Sequence, residues 1–207
     1  MWDIEIIDVE ANGSCFFESI AIAITDCIED FVVNDYLCLK MDDYIKGYEE
    51  LTGEDMETVS PKFIRYICSK NIDDCIFETY SIEAADRKDS GEKHVKDFKS
   101  KEEMSDYILN TNCWADHSII RAFFKSFGNK CALVIFDETY GGLVYFQKEW
   151  TYKKDKYICL NRQNNHYSPV RFSNDSKKYP LCLQRDTILS IMEHVNEKLE
   201  ESIKNLY

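Results

Sequence analysis

Apolar residues recur every three or four positions in several stretches of this chain, which is the spacing of one face of a helix. The first stretch follows Asn12-Gly13-Ser14 and predicts a buried helix that begins close to Cys15. A second helix is predicted at about 61–70, where Ser60-Pro61 has the form of an N-cap followed by proline. Asp116 could cap a third, at about 117–127. The tail from Arg185 to Leu206 predicts a strongly amphipathic fourth helix.

Short runs rich in β-branched and aromatic residues predict strands at 131–136, 143–146, 157–160 and 167–172. Between the predicted helices, residues 83–103 form the most polar part of the chain, and we interpret them as a mobile surface excursion. Helices, then a small sheet, then a helix predict an α+β fold in which the central sheet packs between helices.

Composition limits the classes of function. At 207 residues with 44% hydrophobic content, residues 1–207 are predicted to form a single domain. The net charge of -13 would repel a phosphate backbone, so nucleic acid is not an expected partner. No apolar run approaches the roughly 20 residues that span a bilayer, and the acidic start does not resemble a secretory signal. We therefore expect a soluble, cytoplasmic protein that does not bind membranes.

The cysteines are nine in number, scattered, and without a Cys-x-x-Cys pair. This pattern favours reduced thiols, and neither a metal nor another cofactor is expected. A catalytic cysteine needs a helix N-terminus to favour the thiolate and an imidazole to accept its proton. Cys15 has the first of these, and Gly13 before it permits a tight turn with backbone N–H groups directed at an oxyanion. The alternative at this point is an inert, buried cysteine.

The chain contains four histidines, so the possible bases can be compared individually. His94 lies in the polar stretch, His117 in the first turn of a helix, and His194 on the polar face of the last helix; these are ordinary surface positions. His166 follows a predicted loop at 161–165 and opens a predicted strand, where rigid backbone can hold an imidazole. A loop histidine without a role is the alternative.

Three segments resemble the ovarian tumour (OTU) family of cysteine proteases, the deubiquitinases. Residues 12–20, with Asn-Gly-Ser-Cys and an apolar pair, are similar to the family's nucleophile segment. Residues 113–122 resemble its tryptophan segment, which precedes a helix and a strand, and residues 165–170 resemble its histidine-aromatic segment. The likeness extends from about residue 5 to about residue 172. The excess of lysine over arginine is typical of the AT-rich genomes of many viruses and intracellular bacteria, in which case the host cytosol would be the site of action.

The resemblance implies an OTU-like fold with Cys15 as nucleophile and His166 as base and later acid, and with Trp114 as a packing residue beside them. It also implies that residues of about 30–110 form a variable helical region that shapes substrate choice. The implied partner is ubiquitin or a ubiquitin-like protein, cleaved after its C-terminal Gly-Gly, by an enzyme that we expect to be a monomer.

The chain departs from the family at the residue that orients the histidine. The family has an acidic or amide residue two positions after the histidine, or an Asp three positions before the cysteine, and this chain has Ser168 and Asn12 there. Asn12 is the leading prediction, because an amide oxygen can accept the imidazole N–H. Ser168, Asn164 and Asn165 are alternatives. Two other functions also stay open, a ubiquitin-binding module without activity and a thiol amidase acting on another substrate.

Overall fold

A computed structural model describes residues 2–27, 41–53, 55–56, 58–93, 95–126, 131–137, 143–145, 156–175, 177–191 and 193. Several predicted features lie outside the described residues. They are Cys38, His94, Phe127, Phe146, His194 and the tail after residue 193.

Six helices and seven strands have defined bounds in the described parts of the chain. The helices are α1 (Cys15–Asp26), α2 (Met41–Thr52), α3 (Pro61–Lys70), α4 (Asp74–Asp89), α5 (Lys101–Asn110) and α6 (His117–Ser126). The strands are β1 (Trp2–Ile6), β2 (Cys131–Asp137), β3 (Leu143–Tyr145), β4 (Lys156–Gln163), β5 (His166–Asn174), β6 (Lys177–Lys178) and β7 (Cys182–Gln184). Residues 185–191 are also helical.

The predicted helix starts at α3 and α6 are confirmed, together with their caps. Ser60 Oγ accepts a hydrogen bond from the N–H of Phe63 at 3.1 Å, and Asp116 Oδ1 accepts from the N–H of Ile119 at 3.0 Å. Each cap satisfies an N–H group that has no acceptor within its own helix. The helix predicted to begin close to Cys15 is confirmed as α1.

The interpretation of residues 83–103 as a surface excursion is wrong at its two ends, which belong to helices. Residues 83–89 form the last turns of α4, and residues 101–103 form the first turn of α5. Although α4 carries many charges, Ile76, Tyr80 and Ala84 recur every fourth residue and are buried. A narrow apolar stripe is therefore enough to hold this helix against the core.

The strands form a mixed sheet in the order β1-β5-β4-β2-β3, with β6 beside β5 and β7 beside β4. Strands β2 and β4 are parallel, whereas β4 and β5 are antiparallel neighbours. Alternation along the strands divides the core between the two faces of the sheet. Leu133, Ile158 and Leu160 pack with the helices α1 and α3 to α6, and Val134, Cys159 and Phe172 pack with Ile188 and Ile191.

Both faces of the sheet are thus covered by helical residues, and the predicted α+β class with a sheet between helices is confirmed. None of the helices in the described residues is long and apolar enough to span a bilayer.

Candidate active site

The segment that leads into α1 is a tight turn fixed by its own side chains. The Oδ1 atom of Asn12 accepts a hydrogen bond from the N–H of Ser14 at 3.0 Å, and the N–H of Glu18 donates to the carbonyl of Ser14 at 2.9 Å. Gly13 has a φ of 74°, a left-handed conformation that glycine adopts without strain. The turn therefore delivers Cys15 as the first residue of α1.

Tyr167 joins the start of α1 to the start of β5. Its backbone N–H donates to the Sγ atom of Cys15 at 3.5 Å, and its carbonyl accepts from the hydroxyl of Ser19 at 3.1 Å. The Tyr167 ring also packs edge-to-face on Phe16, with ring centroids 5.5 Å apart. Because Tyr167 N is bonded to the carbonyl carbon of His166, the Cα atom of His166 lies within about 6 Å of the Cys15 sulfur.

The strands β4 and β5 hold His166 at the end of a tight hairpin. Gln163 pairs with His166, and the two residues between them, Asn164 and Asn165, have φ values of 50° and 66°. Two consecutive positive φ values make a two-residue turn of the type that matches the twist of the strands. The segment 161–165 is therefore mostly strand, with a loop of only two residues.

The imidazole of His166 is partly buried, and among the described residues its Nδ1 atom has no hydrogen-bond partner although it is buried. In the part of the chain that the structure describes, no hydrogen bond therefore holds the ring at Nδ1. Of the other histidines, His117 is exposed at the start of α6.

None of the residues considered for orienting His166 contacts its Nδ1 atom. The amide of Asn12 is used locally, because its Nδ2 atom donates to Glu10 at 2.9 Å while its Oδ1 atom accepts from Ser14. Asn164 and Asn165 are exposed on the turn, and the Oδ1 atom of Asn165 accepts from Arg162 at 2.6 Å. That Asn12 is the third catalytic residue, which orients His166, stays a prediction.

Ser168 and Asn161 lie on the same side of the β4-β5 hairpin as His166. Residues two apart in a strand share a face, as do residues that pair directly across an antiparallel ladder. Ser168 is two residues after His166 and pairs with Asn161, and both are buried. Asn161 was not predicted as a residue of the site, because its segment was predicted to be a loop.

Arg65 is a second residue that the sequence analysis did not identify. It belongs to α3, is only 4% exposed, and hydrogen-bonds to Gly13, Ser14 and Cys113. No sequence motif indicated it, because its acceptors are 43 to 52 residues away along the chain.

Several buried cysteines away from this site have a raised pKa and therefore form thiolates less readily. Burial raises the pKa of Cys68, Cys113 and Cys159. The pKa of Cys27 is raised first by its hydrogen bond with Cys182 and then by burial. Cys15 itself is buried, with 1% of its surface exposed.

A cleft of about 770 Å³ opens beside this site. Tyr167, Cys113 and Trp114 contribute to its wall, and Trp114 is 51% exposed, so the indole packs only in part. The charged lining residues described are of both signs: Arg87, Lys96, Arg162, Glu92 and Asp116. The large negative net charge of the chain is therefore not concentrated in the described wall of this cleft.

No known family model matches the sequence, and no curated protein matches it. Several solved structures resemble the fold. An ovarian tumour (OTU) domain in complex with ubiquitin is 14% identical, with 89% of this chain and 76% of that chain covered and a TM-score of 0.48. The viral OTU domain protease from Dera Ghazi Khan virus is 11% identical, with coverages of 83% and 82% and a TM-score of 0.40. The ceOTUB1 ubiquitin aldehyde complex with UBC13~Ub is 16% identical, with coverages of 82% and 79% and a TM-score of 0.45. At these identities and TM-scores, the three structures do not by themselves assign a family or an activity.

Proposed function

We propose that this chain is a thiol-dependent isopeptidase of the OTU deubiquitinase type, with Cys15 as nucleophile and His166 as general base. The hydrogen bond from the Tyr167 N–H to the Cys15 sulfur carries the proposal. Because Tyr167 follows His166 directly, this bond brings His166 close to Cys15, although the two are 151 positions apart in the sequence. A thiol at the start of a helix and beside an imidazole has both features that activate a cysteine nucleophile.

The reaction would proceed through a thioester. The imidazole of His166 accepts the proton of the Cys15 thiol, and the thiolate attacks the carbonyl carbon of the C-terminal glycine of the modifier. N–H groups at the start of α1, which have no acceptor within the helix, stabilise the oxyanion. The intermediate collapses as imidazolium protonates the departing lysine amine. His166 then deprotonates water, which hydrolyses the thioester and releases the free carboxylate and the thiol.

Ubiquitin or a ubiquitin-like protein is the proposed substrate. A tail that ends in Gly-Gly has no side chains at the scissile bond, which suits a nucleophile that is only 1% exposed. The sequence resemblance of residues 12–20, 113–122 and 165–170 also supports this choice. We place the activity in a reducing cytosol, since all eight described cysteines are free thiols.

An OTU-like ubiquitin-binding module without activity is the second candidate. It is favoured by the buried Nδ1 atom of His166, which has no hydrogen-bond partner in the described structure, and by the local engagement of the Asn12 amide. An imidazole without an orienting partner would be a weaker base.

Ubiquitin bearing a C-terminal electrophile distinguishes the candidates. We expect a covalent adduct at Cys15 that is lost in Cys15→Ala and slowed in Asn12→Ala. Tight binding without an adduct would favour the module. A protein that neither binds this ubiquitin nor forms an adduct with it would instead be a thiol amidase with another substrate.

A further inference from the structure

Arg65 is a buried cation without an acidic partner in the described residues. It is 4% exposed, and every hydrogen bond it makes there ends on a neutral acceptor. Burying a charge without an opposite charge is unfavourable unless its hydrogen bonds are satisfied. Because the buried charge of Arg65 needs these hydrogen bonds, Arg65 can hold its acceptors in one conformation.

The guanidinium connects the loop before Cys15 to the segment before α6. Nη2 donates to the carbonyl of Gly13 at 3.2 Å and to the hydroxyl of Ser14 at 2.9 Å. It also donates to the carbonyl of Cys113 at 3.3 Å, while Nη1 donates to the Cys113 thiol at 3.2 Å. The plane of the guanidinium packs on Phe17, with its central carbon 3.8 Å from the ring centroid.

The contact with Ser14 changes how α1 begins. A serine at an N-cap normally accepts a hydrogen bond from an N–H of the first turn, as Ser60 and Ser100 do in this protein. Ser14 is the N-cap of α1 but makes no such bond, and its φ of -100° and ψ of -2° are near-helical, whereas Ser60 and Ser100 have the extended backbone of a capping serine. Its hydroxyl accepts from Arg65 instead, so the first-turn N–H groups of α1 keep no side-chain acceptor.

The peptide between Gly13 and Ser14 is fixed at both ends. Its carbonyl accepts from Arg65, and its N–H donates to the Oδ1 atom of Asn12. The carbonyl of Gly13 is thereby directed towards Arg65 in α3 and away from the thiol of Cys15, where it would oppose negative charge.

We propose that Arg65 is a positioning residue for Cys15, which keeps the N-terminus of α1 uncapped by holding the Ser14 hydroxyl and the Gly13 carbonyl. This inference rests on the proposed function, since it assumes that Cys15 reacts as a thiolate. Uncapped first-turn N–H groups are then free to interact with the thiolate and with an oxyanion.

Alkylation of Cys15 by iodoacetamide tests the proposal without ubiquitin. Peptide mapping gives the rate at Cys15 alone, as a function of pH. In Arg65→Gln the Ser14 hydroxyl and the Gly13 carbonyl lose their donor, so that Ser14 can adopt an extended backbone and cap α1. We therefore expect alkylation about tenfold slower at neutral pH and a pH-rate profile displaced to higher pH. Arg65→Lys keeps the charge, but its single ammonium group ends one bond short of the Nη atoms and lacks their planar fork of donors, and we expect a smaller loss of roughly threefold.

The double variant Arg65→Gln with Ser14→Ala separates capping from a general loss of structure. Because alanine cannot cap, this variant should regain part of the rate that Arg65→Gln alone loses. Arg171→Gln is the matched control, since Arg171 forms an ion pair with Asp26 at the other end of α1. It should keep the wild-type profile, even if the melting temperature falls.

A folded Arg65→Gln or Arg65→Lys protein with the wild-type rate and pH profile would overturn the proposal. So would a double variant that regains none of the lost rate. Absence of a ubiquitin adduct in a wild-type protein whose Cys15 is alkylated normally would count against the substrate assignment, and would leave the role of Arg65 to be decided by alkylation.

Discussion

Gly13 leaves no room for a side chain in the loop before Cys15. Its φ of 74° is unfavourable for other residues, and an added Cβ atom would lie 2.4 Å from the carbonyl oxygen of Asn112. We therefore expect Gly13→Ala to displace the loop before Cys15, to lower the free energy of unfolding by about 2 kcal/mol or more, and to slow the ubiquitin adduct strongly. Urea denaturation and adduct formation measure the two effects.

Gly53→Ala is the control for this substitution. Gly53 has a similar φ of 72°, but nothing lies within 4 Å of an added Cβ atom there. It should cost about 1 kcal/mol of backbone strain and leave the adduct rate unchanged. Equal adduct rates in the Gly13 and Gly53 variants would contradict the role given to the Gly13 turn.

Asp116 makes stability depend on pH. Burial raises the pKa of its carboxyl, so the folded chain retains this proton to higher pH than the unfolded chain does. The associated stability is complete below the unfolded value of about 3.9 and is lost as pH rises through the higher folded value. Asp116→Asn keeps an N-cap acceptor but cannot ionise, so this loss should disappear.

Urea denaturation over a pH series measures that change. Asp116→Ala should instead lose about 1 kcal/mol at every pH, because it cannot accept the Ile119 N–H. A pH profile of Asp116→Asn parallel to that of the wild-type protein would show that this carboxyl is not the source of the dependence.

The sequence alone predicts the residues of the site that have characteristic chemistry, but not the residues that hold them in place. Cys15 and His166 stand in recognisable segments, and the structure places them at the ends of α1 and β5 that Tyr167 joins. No sequence motif indicates that Arg65 or Asn161 belongs to the site. The place of Arg65 depends on long-range contacts and that of Asn161 on strand register.

Among the elements, α1 is fixed to β5 by one face of the helix. Cys15 and Ser19 are four residues apart and therefore neighbours on that face, and they bond to the N–H and the carbonyl of Tyr167. Ser19→Ala removes the donor to a carbonyl in a buried environment. We expect it to lower the free energy of unfolding by about 1 to 2 kcal/mol and to slow the adduct by roughly threefold to tenfold.

The matched control is Ser81→Ala. Ser81 is exposed on α4 and bonds only to the carbonyl of Phe77 in the preceding turn. Its removal should change stability by less than about 0.5 kcal/mol and leave the adduct rate unchanged. If Ser19→Ala behaves like this control, α1 does not depend on Tyr167 for its position.

Element prediction succeeded where the apolar pattern was wide and failed where it was narrow. The helices α1, α3 and α6 and the start of β2 had wide apolar faces or caps in the sequence. The charged helix α4 buries only Ile76, Tyr80 and Ala84, and its last residues, 83–89, were mistaken for part of a surface excursion. The extension of β4 to Gln163 was missed because its last residues are polar.

For the whole molecule, the central claim is that one thiol among many reacts with the modifier. Of the eight described cysteines, Cys75 is exposed and the other seven are buried. Burial or mutual hydrogen bonds raise the pKa of five of these seven. The site of an adduct is therefore as informative as its formation.

The most direct test is to map the adduct formed with ubiquitin that carries a C-terminal electrophile. We predict one adduct on Cys15 in the wild-type protein, none in folded Cys15→Ala, and a much slower reaction in His166→Ala. A folded wild-type protein that forms no adduct, or an adduct that persists in Cys15→Ala, would contradict the assignment of Cys15 as the nucleophile of a deubiquitinase.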